Sequence, residues 1–350
     1  MTWSLLPGTL PATMRTDDFD YDLPPDLIAQ HPVPRGSARL MVLDRSAAEP
    51  SATTFDCLPL YLRPGDTVVL NDTRVTARRV EALGLARGGE ALLIRPVGDD
   101  AWAALVRPGR AFRVGATVTL AGPDGEPVVA RVERVEPDGS RILCFPGRRE
   151  RDLMCRAGFV PVPPYIHERL KDEDDYQTVY AREGGSAAAP TAGLHFTEEM
   201  LDRVVAAGAG LVRLTLHVGV DTFRPVKSEH AEHHTMHGEW YELGEEAADA
   251  VNATTGRVVA IGTTTVRALE SAAIGDGRVR AGAEETRLYI TPGYRYRVVT
   301  AMFTNFHLPR STLLMMVSAF AGYERTMAAY RMAVRERFRF YSFGDAMLIL

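Results

Sequence analysis

The 350-residue chain has three cysteines, Cys57, Cys144 and Cys155, and no CxxC pair. Thiols this sparse and separated fit a reducing, cytoplasmic setting. They exclude a radical enzyme built on a cysteine-ligated iron–sulfur cluster, which needs closely spaced thiolates. No stretch approaches the roughly 20 apolar residues of a membrane span. Residues 1–16 begin with a short apolar run but lack the charged start of a signal peptide, and residues 1–17 read as a loose extension. Excess positive charge is missing too. With 40 basic and 45 acidic residues the formal net charge is −5, so a nucleic-acid partner would have to meet a local patch. A dinucleotide fingerprint is also lacking: Gly208, Ala209 and Gly210 close a helix and open a strand, the reverse of the order that fingerprint requires. The glycine loop of the usual methyltransferase is therefore absent.

What is present is an ordinary globular composition, 46% apolar, on a chain long enough for two domains. Between residues 66 and 147, alternating runs such as TVVL, RRVEALGL, ALLIRPV, AWAALV, TVTL, VVARVERV and RILCF are separated by turns such as ARGGE and GPDGE. Regular strands without helices predict a small antiparallel β-barrel or sandwich. Helices and strands alternate on both sides of it. The barrel is thus expected as an insert in a mixed α/β main domain formed by residues 18–65 and 148–350.

Residues 190–196, PTAGLHF, follow a glycine, serine and alanine run at 184–189 that leaves backbone open to close approach or serves as a linker. A helix is predicted just beyond: Thr197 suits an N-cap, Glu198 and Glu199 fill the first turn, and Met200, Leu201, Val204 and Val205 keep helical spacing. His195 then stands at a helix entrance, either closing a turn or carrying a proton. RVVAIG reads as a buried strand running into TTTVRALESAA, whose threonines are expected to cap a helix bearing Arg267 and Glu270. These two side chains either face a ligand at the carboxyl end of a sheet or pair with each other. Asn305 and His307 end a later strand, and Ser311 or Thr312 starts the next helix.

His230, His233, His234 and His237 would share one face of a helix, a spacing that allows a zinc site. No HExxH or catalytic carboxylate pattern accompanies them, and Trp240 and Tyr241 suggest a stacking wall instead. Arg107, Arg110 and Arg113 surround Phe112, and Arg331, Arg335 and Arg339 recur at four-residue steps as an exposed basic row. Both groups suit an RNA backbone or a solvated surface.

Ten strings in order carry a resemblance across nearly the whole chain: QHPVPRGSARL, VLNDTRVTARR, VPVPPYI, YQTVYA, PTAGLHF, LHVGVDTFRPV, HTMHGEWYEL, VVAIGTTTVRALESAA, TNFHLPRSTLLMMVSAFAG and YSFGDAMLIL. Together they resemble the S-adenosylmethionine:tRNA ribosyltransferase-isomerase family of queuosine biosynthesis. Asp221 departs from the family's usual glycine, and Ala187 from a common valine. The resemblance implies a two-domain α/β protein with a β-barrel insert. It also implies transfer of the ribosyl part of S-adenosylmethionine to 7-aminomethyl-7-deazaguanine at the tRNA wobble position, with isomerisation to epoxyqueuosine and release of adenine and methionine. S-adenosylmethionine would be consumed as cosubstrate with no metal, by a cytoplasmic monomer.

On that resemblance His195, His217, His237 and Glu239 are the acid–base candidates, since the reaction needs a proton taken from C5′ and one given to the leaving adenine. Thr191, Gly193, Thr263, Thr264, Arg267, Asn305 and His307 are the candidates for binding the cosubstrate. Arg74, Arg107, Arg110, Arg331 and Arg335 are those for tRNA, whose reacting base would be turned out of its stack. The competing readings are a metal-dependent hydrolase using residues 230–237, and an RNA-binding relative with a different base substrate.

Overall fold

The computed structural model describes residues 14–47, 49–219, 226 and 228–350; Asp221 and residues 1–13 of the amino-terminal extension lie outside the described residues. A mixed nine-stranded sheet forms the main body, in the order Gly282–Thr286, Glu239–Leu243, Gly210–Leu216, Thr67–Asn71, Val258–Ile261, Ala301–Asn305, Ala346–Ile349, Arg39–Leu43, Ser51–Thr54. The four strands from Gly210–Leu216 to Ala301–Asn305 are parallel. Covered on both faces, such strands must be apolar almost throughout, and VVAI and AMFTN are buried along their whole length.

Alternate residues feed opposite layers. Val68, Leu70, Val259, Ile261 and Phe303 pack with Met200, Leu201 and Val204 of the helix Glu198–Ala206. Val69, Leu214, Ala260 and Met302 pack with Val266 and Leu269 of Thr263–Ser271 and with Met315 and Val317 of Thr312–Ala321. The expected caps are in place at two of these helices: the Thr197 hydroxyl accepts from the Met200 N–H at 3.1 Å, and Ser311 from Leu314 at 3.2 Å.

The third helix differs from expectation. Its N-cap is Gly262, at φ 89°, and no side chain caps it. Thr263, Thr264 and Thr265 lie inside the first turn, where the Thr265 hydroxyl donates to the Ile261 carbonyl at 2.6 Å and the Thr264 hydroxyl accepts from Asn71 Nδ2 at 3.1 Å.

Six antiparallel strands close the barrel, in the order Arg141–Cys144, Ala101–Arg107, Glu90–Val97, Arg78–Leu83, Thr117–Ala121, Pro127–Val135. Val80, Leu93, Trp102, Leu120, Val132 and Leu143 fill its interior by strict alternation. The TVVL run expected in this insert instead forms the central strand Thr67–Asn71 of the large sheet, with five buried residues in a row. The barrel strands therefore begin only at Arg78.

Three further expectations are corrected. The amino-terminal residues from Met14 are held, since Ala231 N donates to Met14 O at 3.0 Å and Thr16 N to Glu229 O at 2.9 Å. The histidine segment is not an α-helix: Ala231–His233 is a single 3-10 turn and His230 bridges to Arg15, so the four imidazoles share no helical face. The basic row is broken because the last helix is Tyr323–Arg335, and Arg339 beyond it pairs with buried Asp345 at 3.1 Å. Among the described residues no helix is long and apolar enough to cross a membrane. The three cysteines are free thiols.

Candidate active site

A cavity with an enclosed volume of about 40 Å³ and an open mouth lies beyond the carboxyl ends of the central parallel strands. This is where open α/β sheets bind ligands, because strand ends and helix starts bring backbone and side-chain polar groups together there. Ile261 runs into Gly262, Thr263 and Thr264, which form one wall. Ala301–Asn305 runs into Phe306 and His307, which form another. Ala189, Pro190, Thr191 and Ala192 close a third side, and Tyr165, Tyr341 and Ser342 a fourth. The Tyr165 and Tyr341 rings lie 4.6 Å apart, and the Tyr165 and Ser342 hydroxyls are 2.7 Å apart.

Of the seven cosubstrate candidates, Thr191, Thr263, Thr264, Asn305 and His307 line this cavity, whereas Gly193 and Arg267 do not. Gly193 is glycine for packing: a Cβ there would sit 2.0 Å from the Tyr180 hydroxyl oxygen. Arg267 is buried one turn inside the helix, with Nη1 3.0 Å from Glu239 Oε2 and Nη2 3.4 Å from the carbonyls of His237 and Thr286. It does not pair with Glu270, whose carboxylate accepts from the N–H groups of Arg297, Val298 and Val299.

None of the four acid–base candidates stands on the cavity lining. His195 is buried behind Asn305, its Nε2 3.2 Å from Asn305 Nδ2 and its ring against Phe55 and Phe303. Burial pushes its pKa down to about 4, so it is neutral at ordinary pH. His217 stacks on Trp240 with centroids 5.0 Å apart and touches Thr73 Oγ1 through Nδ1 at 2.8 Å. Its Nε2 faces Gly185, where a Cβ would come within 2.6 Å, so the glycine of the strand Glu183–Ser186 makes room for this imidazole. Glu239 accepts from Gly219 N at 2.8 Å, one residue beyond the cavity-lining Val218. His237 is exposed.

Sequence reasoning missed Asn71, Tyr165 and Tyr341. Asn71 is wholly buried and fully bonded: Nδ2 donates to Thr264 Oγ1 and to Leu216 O at 3.0 Å, and Oδ1 accepts from Leu216 N at 3.0 Å and Thr73 N at 3.2 Å. A polar NDT triplet ending an apolar strand was the signal available for it. Among the described lining residues the titratable groups are Tyr165, His307 and Tyr341, with no carboxylate. His307 lies 2.8 Å from Thr304 Oγ1 through Nε2, and burial holds its pKa down to about 3. No group of three or more His, Cys, Asp or Glu side chains that could hold a metal occurs among the described residues.

The chain matches the family described as "Queuosine biosynthesis protein" over residues 16–349. It is 52% identical over 345 residues to the S-adenosylmethionine:tRNA ribosyltransferase-isomerase of Symbiobacterium thermophilum and 50% identical to that of Moorella thermoacetica, each time across 96% of this chain and 100% of the relative. A crystal structure of S-adenosylmethionine tRNA ribosyltransferase from Thermotoga maritima superposes with a TM-score of 0.54 at 37% identity, covering 95% of this chain and 100% of that one.

The chain belongs to this family. S-adenosylmethionine is the family's cosubstrate. The cavity wall is largely apolar and aromatic, while Thr191, Asn305 and a helix start without a side-chain cap supply polar groups. The metal-hydrolase reading loses its basis, since the histidines of residues 230–237 share no helical face. Of the tRNA candidates, Arg74, Arg107, Arg110, Arg331 and Arg335 are all exposed. They divide between the barrel, which carries Arg107 and Arg110, and the main body, which carries the others.

Proposed function

We propose that this chain is a tRNA-modifying transferase and isomerase that moves the ribosyl moiety of S-adenosylmethionine onto 7-aminomethyl-7-deazaguanine at the wobble position of tRNA. The product is epoxyqueuosine, with release of adenine and methionine, and the enzyme works as a cytoplasmic monomer. The observation that carries the reading is the cavity at the strand ends, in which Thr191, Thr263, Thr264, Asn305 and His307 converge on an otherwise apolar wall.

When bound, the cosubstrate supplies a sulfonium that acidifies the neighbouring C5′ hydrogen and a ribose already joined to a leaving group. The chain's own part is to hold and orient. The start of Thr263–Ser271 directs backbone N–H groups toward an anionic or hydroxyl group, and the Tyr165 and Tyr341 rings keep water from a planar base. His307, held uncharged at neutral pH by burial, offers the bound molecule a neutral hydrogen-bonding imidazole on this wall rather than a charge.

The deciding experiment mixes the protein with S-adenosylmethionine and tRNA carrying the deazaguanine precursor. Adenine and methionine are expected in step with base modification; modification-free tRNA with no adenine release overturns the proposal. Sedimentation at micromolar concentration tests the monomer.

A further inference from the structure

Asn305 is buried on the cavity wall, and the identity of its two amide atoms follows from a neighbour that cannot change role. One of them lies 3.1 Å from the Tyr341 carbonyl oxygen. A carbonyl accepts and never donates, so this atom must be the NH₂ nitrogen. The carbonyl itself is fixed, because Tyr341 N donates to Phe306 O at 3.1 Å and Gly344 N to Tyr341 O at 2.9 Å. The second hydrogen of the same nitrogen points at His195 Nε2, 3.2 Å away. That ring nitrogen therefore accepts, and the imidazole carries its proton on Nδ1. With both amide hydrogens taken, Asn305 Oδ1 accepts a long hydrogen bond from the cavity-lining Thr191 hydroxyl at 3.4 Å and keeps its second lone pair for a donor in the cavity.

We infer that His195 is a positioning residue: by accepting from Asn305 it holds the amide so that Oδ1 faces the cavity as acceptor for a donor on the bound cosubstrate. This rests on the activity proposed above. The donor is either the exocyclic amino group of adenine or a ribose hydroxyl. A proton-carrying imidazole would need a nitrogen on the cosubstrate cavity, whereas His195 has its Nε2 taken by Asn305, packs against Phe55 and Phe303, and lines a separate cleft with Pro34, Arg35 and Phe343. Loss of the imidazole would leave the amide held on its nitrogen side by the Tyr341 carbonyl alone, so Oδ1 would be aimed less firmly at the ligand.

The test compares wild type, His195→Phe, His195→Gln, Asn305→Leu and the His195→Phe/Asn305→Leu double variant by calorimetric Kd for S-adenosylmethionine and by turnover at saturating cosubstrate. His195→Phe and Asn305→Leu are each expected to weaken binding about tenfold, and the double variant no further, because both remove the same acceptor. His195→Gln, whose side-chain oxygen reaches the place of Nε2, should restore most of the affinity. Additive losses, unchanged binding in His195→Phe, or a hundredfold or greater fall in kcat with unchanged Kd in both His195 variants overturns the inference. If His195→Phe does not fold, the other two single variants carry the same comparison: near-normal Kd in His195→Gln with a tenfold loss in Asn305→Leu supports it, and a weakened Gln variant overturns it.

Competition by adenosine, purine riboside and the 2′- and 3′-deoxyadenosines identifies the donor. Asn305→Leu should stop distinguishing adenosine from one of these analogues, and a variant that keeps every wild-type preference overturns the inference. A wild type that binds S-adenosylmethionine but neither releases adenine nor modifies the base when the precursor tRNA is present would overturn the proposed activity alone, and the binding comparison would still decide the role of His195.

Discussion

Glu239 and Arg267 form an ion pair at 3.0 Å with both side chains about 95% enclosed (4% and 5% exposed), joining the edge of the sheet to the helix that opens at the cavity. Removing one partner of such a pair leaves a charge in a low-dielectric interior, a loss of about 3–5 kcal/mol. Glu239→Ala is expected to lower stability by that order in urea titrations. Glu239→Leu with Arg267→Met should recover most of it, since an apolar pair of similar volume removes both desolvation costs. A double variant no more stable than Glu239→Ala would contradict this account.

Asn71 joins three elements through four hydrogen bonds, including the one to Thr264 at the cavity wall. Asn71→Leu strands Leu216 and Thr73 backbone groups, at roughly 1–3 kcal/mol for each buried group left unmade. Urea denaturation should show the loss. Because Thr264 also loses its restraint, KM for S-adenosylmethionine should rise, whereas Ser140→Ala, in a barrel turn bonded to Asp138, should leave KM unchanged.

Stability should fall with acid in a defined window. His195 and His307 are buried neutral, with pKa values lowered from 6.5 to about 4 and about 3. Between those values and 6.5 the unfolded chain binds more protons than the folded one, so stability rises with pH there. The destabilisation begins as pH drops below about 6.5 and grows until about 4 for His195, reaching about 3 kcal/mol from that residue alone. Melting temperatures measured from pH 4 to 8 should show the slope, and His195→Gln should flatten it. An unchanged slope in that variant would assign the acid sensitivity elsewhere.

The elements legible in the sequence were those set by local chemistry. Thr197 caps its helix as its side chain and the following glutamates required, and the barrel strands follow a period of two that needs no distant partner. The run Thr67–Asn71 went to the wrong sheet because a short apolar strand looks the same in a barrel and in a parallel core. Its partners, Gly210–Leu216 and Val258–Ile261, are far away in sequence. The site divided along the same line. Thr263, Thr264, Asn305 and His307 follow strands and could be placed on a cavity wall from order alone. His195 and Asn305 meet across 110 residues of chain and Asn305 and Tyr341 across 36, contacts that no local pattern carries, and the histidine lies behind Asn305 rather than on the cavity wall. Gly193 in PTAGLHF looked like a ligand approach, yet it makes room for Tyr180.

Arg107 ends a barrel strand and Arg110 lies within the 3-10 turn Gly109–Ala111 that follows, and the Arg107 side chain is 83% exposed, with only Glu90 at 3.7 Å among its ion-pair partners in the described residues. A guanidinium this loosely held can exchange its carboxylate for a phosphate at little cost, because an exposed pair at that distance is worth well under about 1 kcal/mol. If both arginines meet the tRNA backbone, each releases condensed counterions on binding. Replacing both with alanine should then weaken tRNA binding at 50 mM salt more than at 200 mM salt, and make the plot of log K against log salt shallower by roughly 1.4–1.8. Because these residues stand on the barrel and the cavity is in the main body, kcat at saturating tRNA should change little while KM for tRNA rises. A double variant with the wild-type salt slope would place the tRNA backbone away from this turn and shift attention to Arg74, Arg331 and Arg335 on the main body.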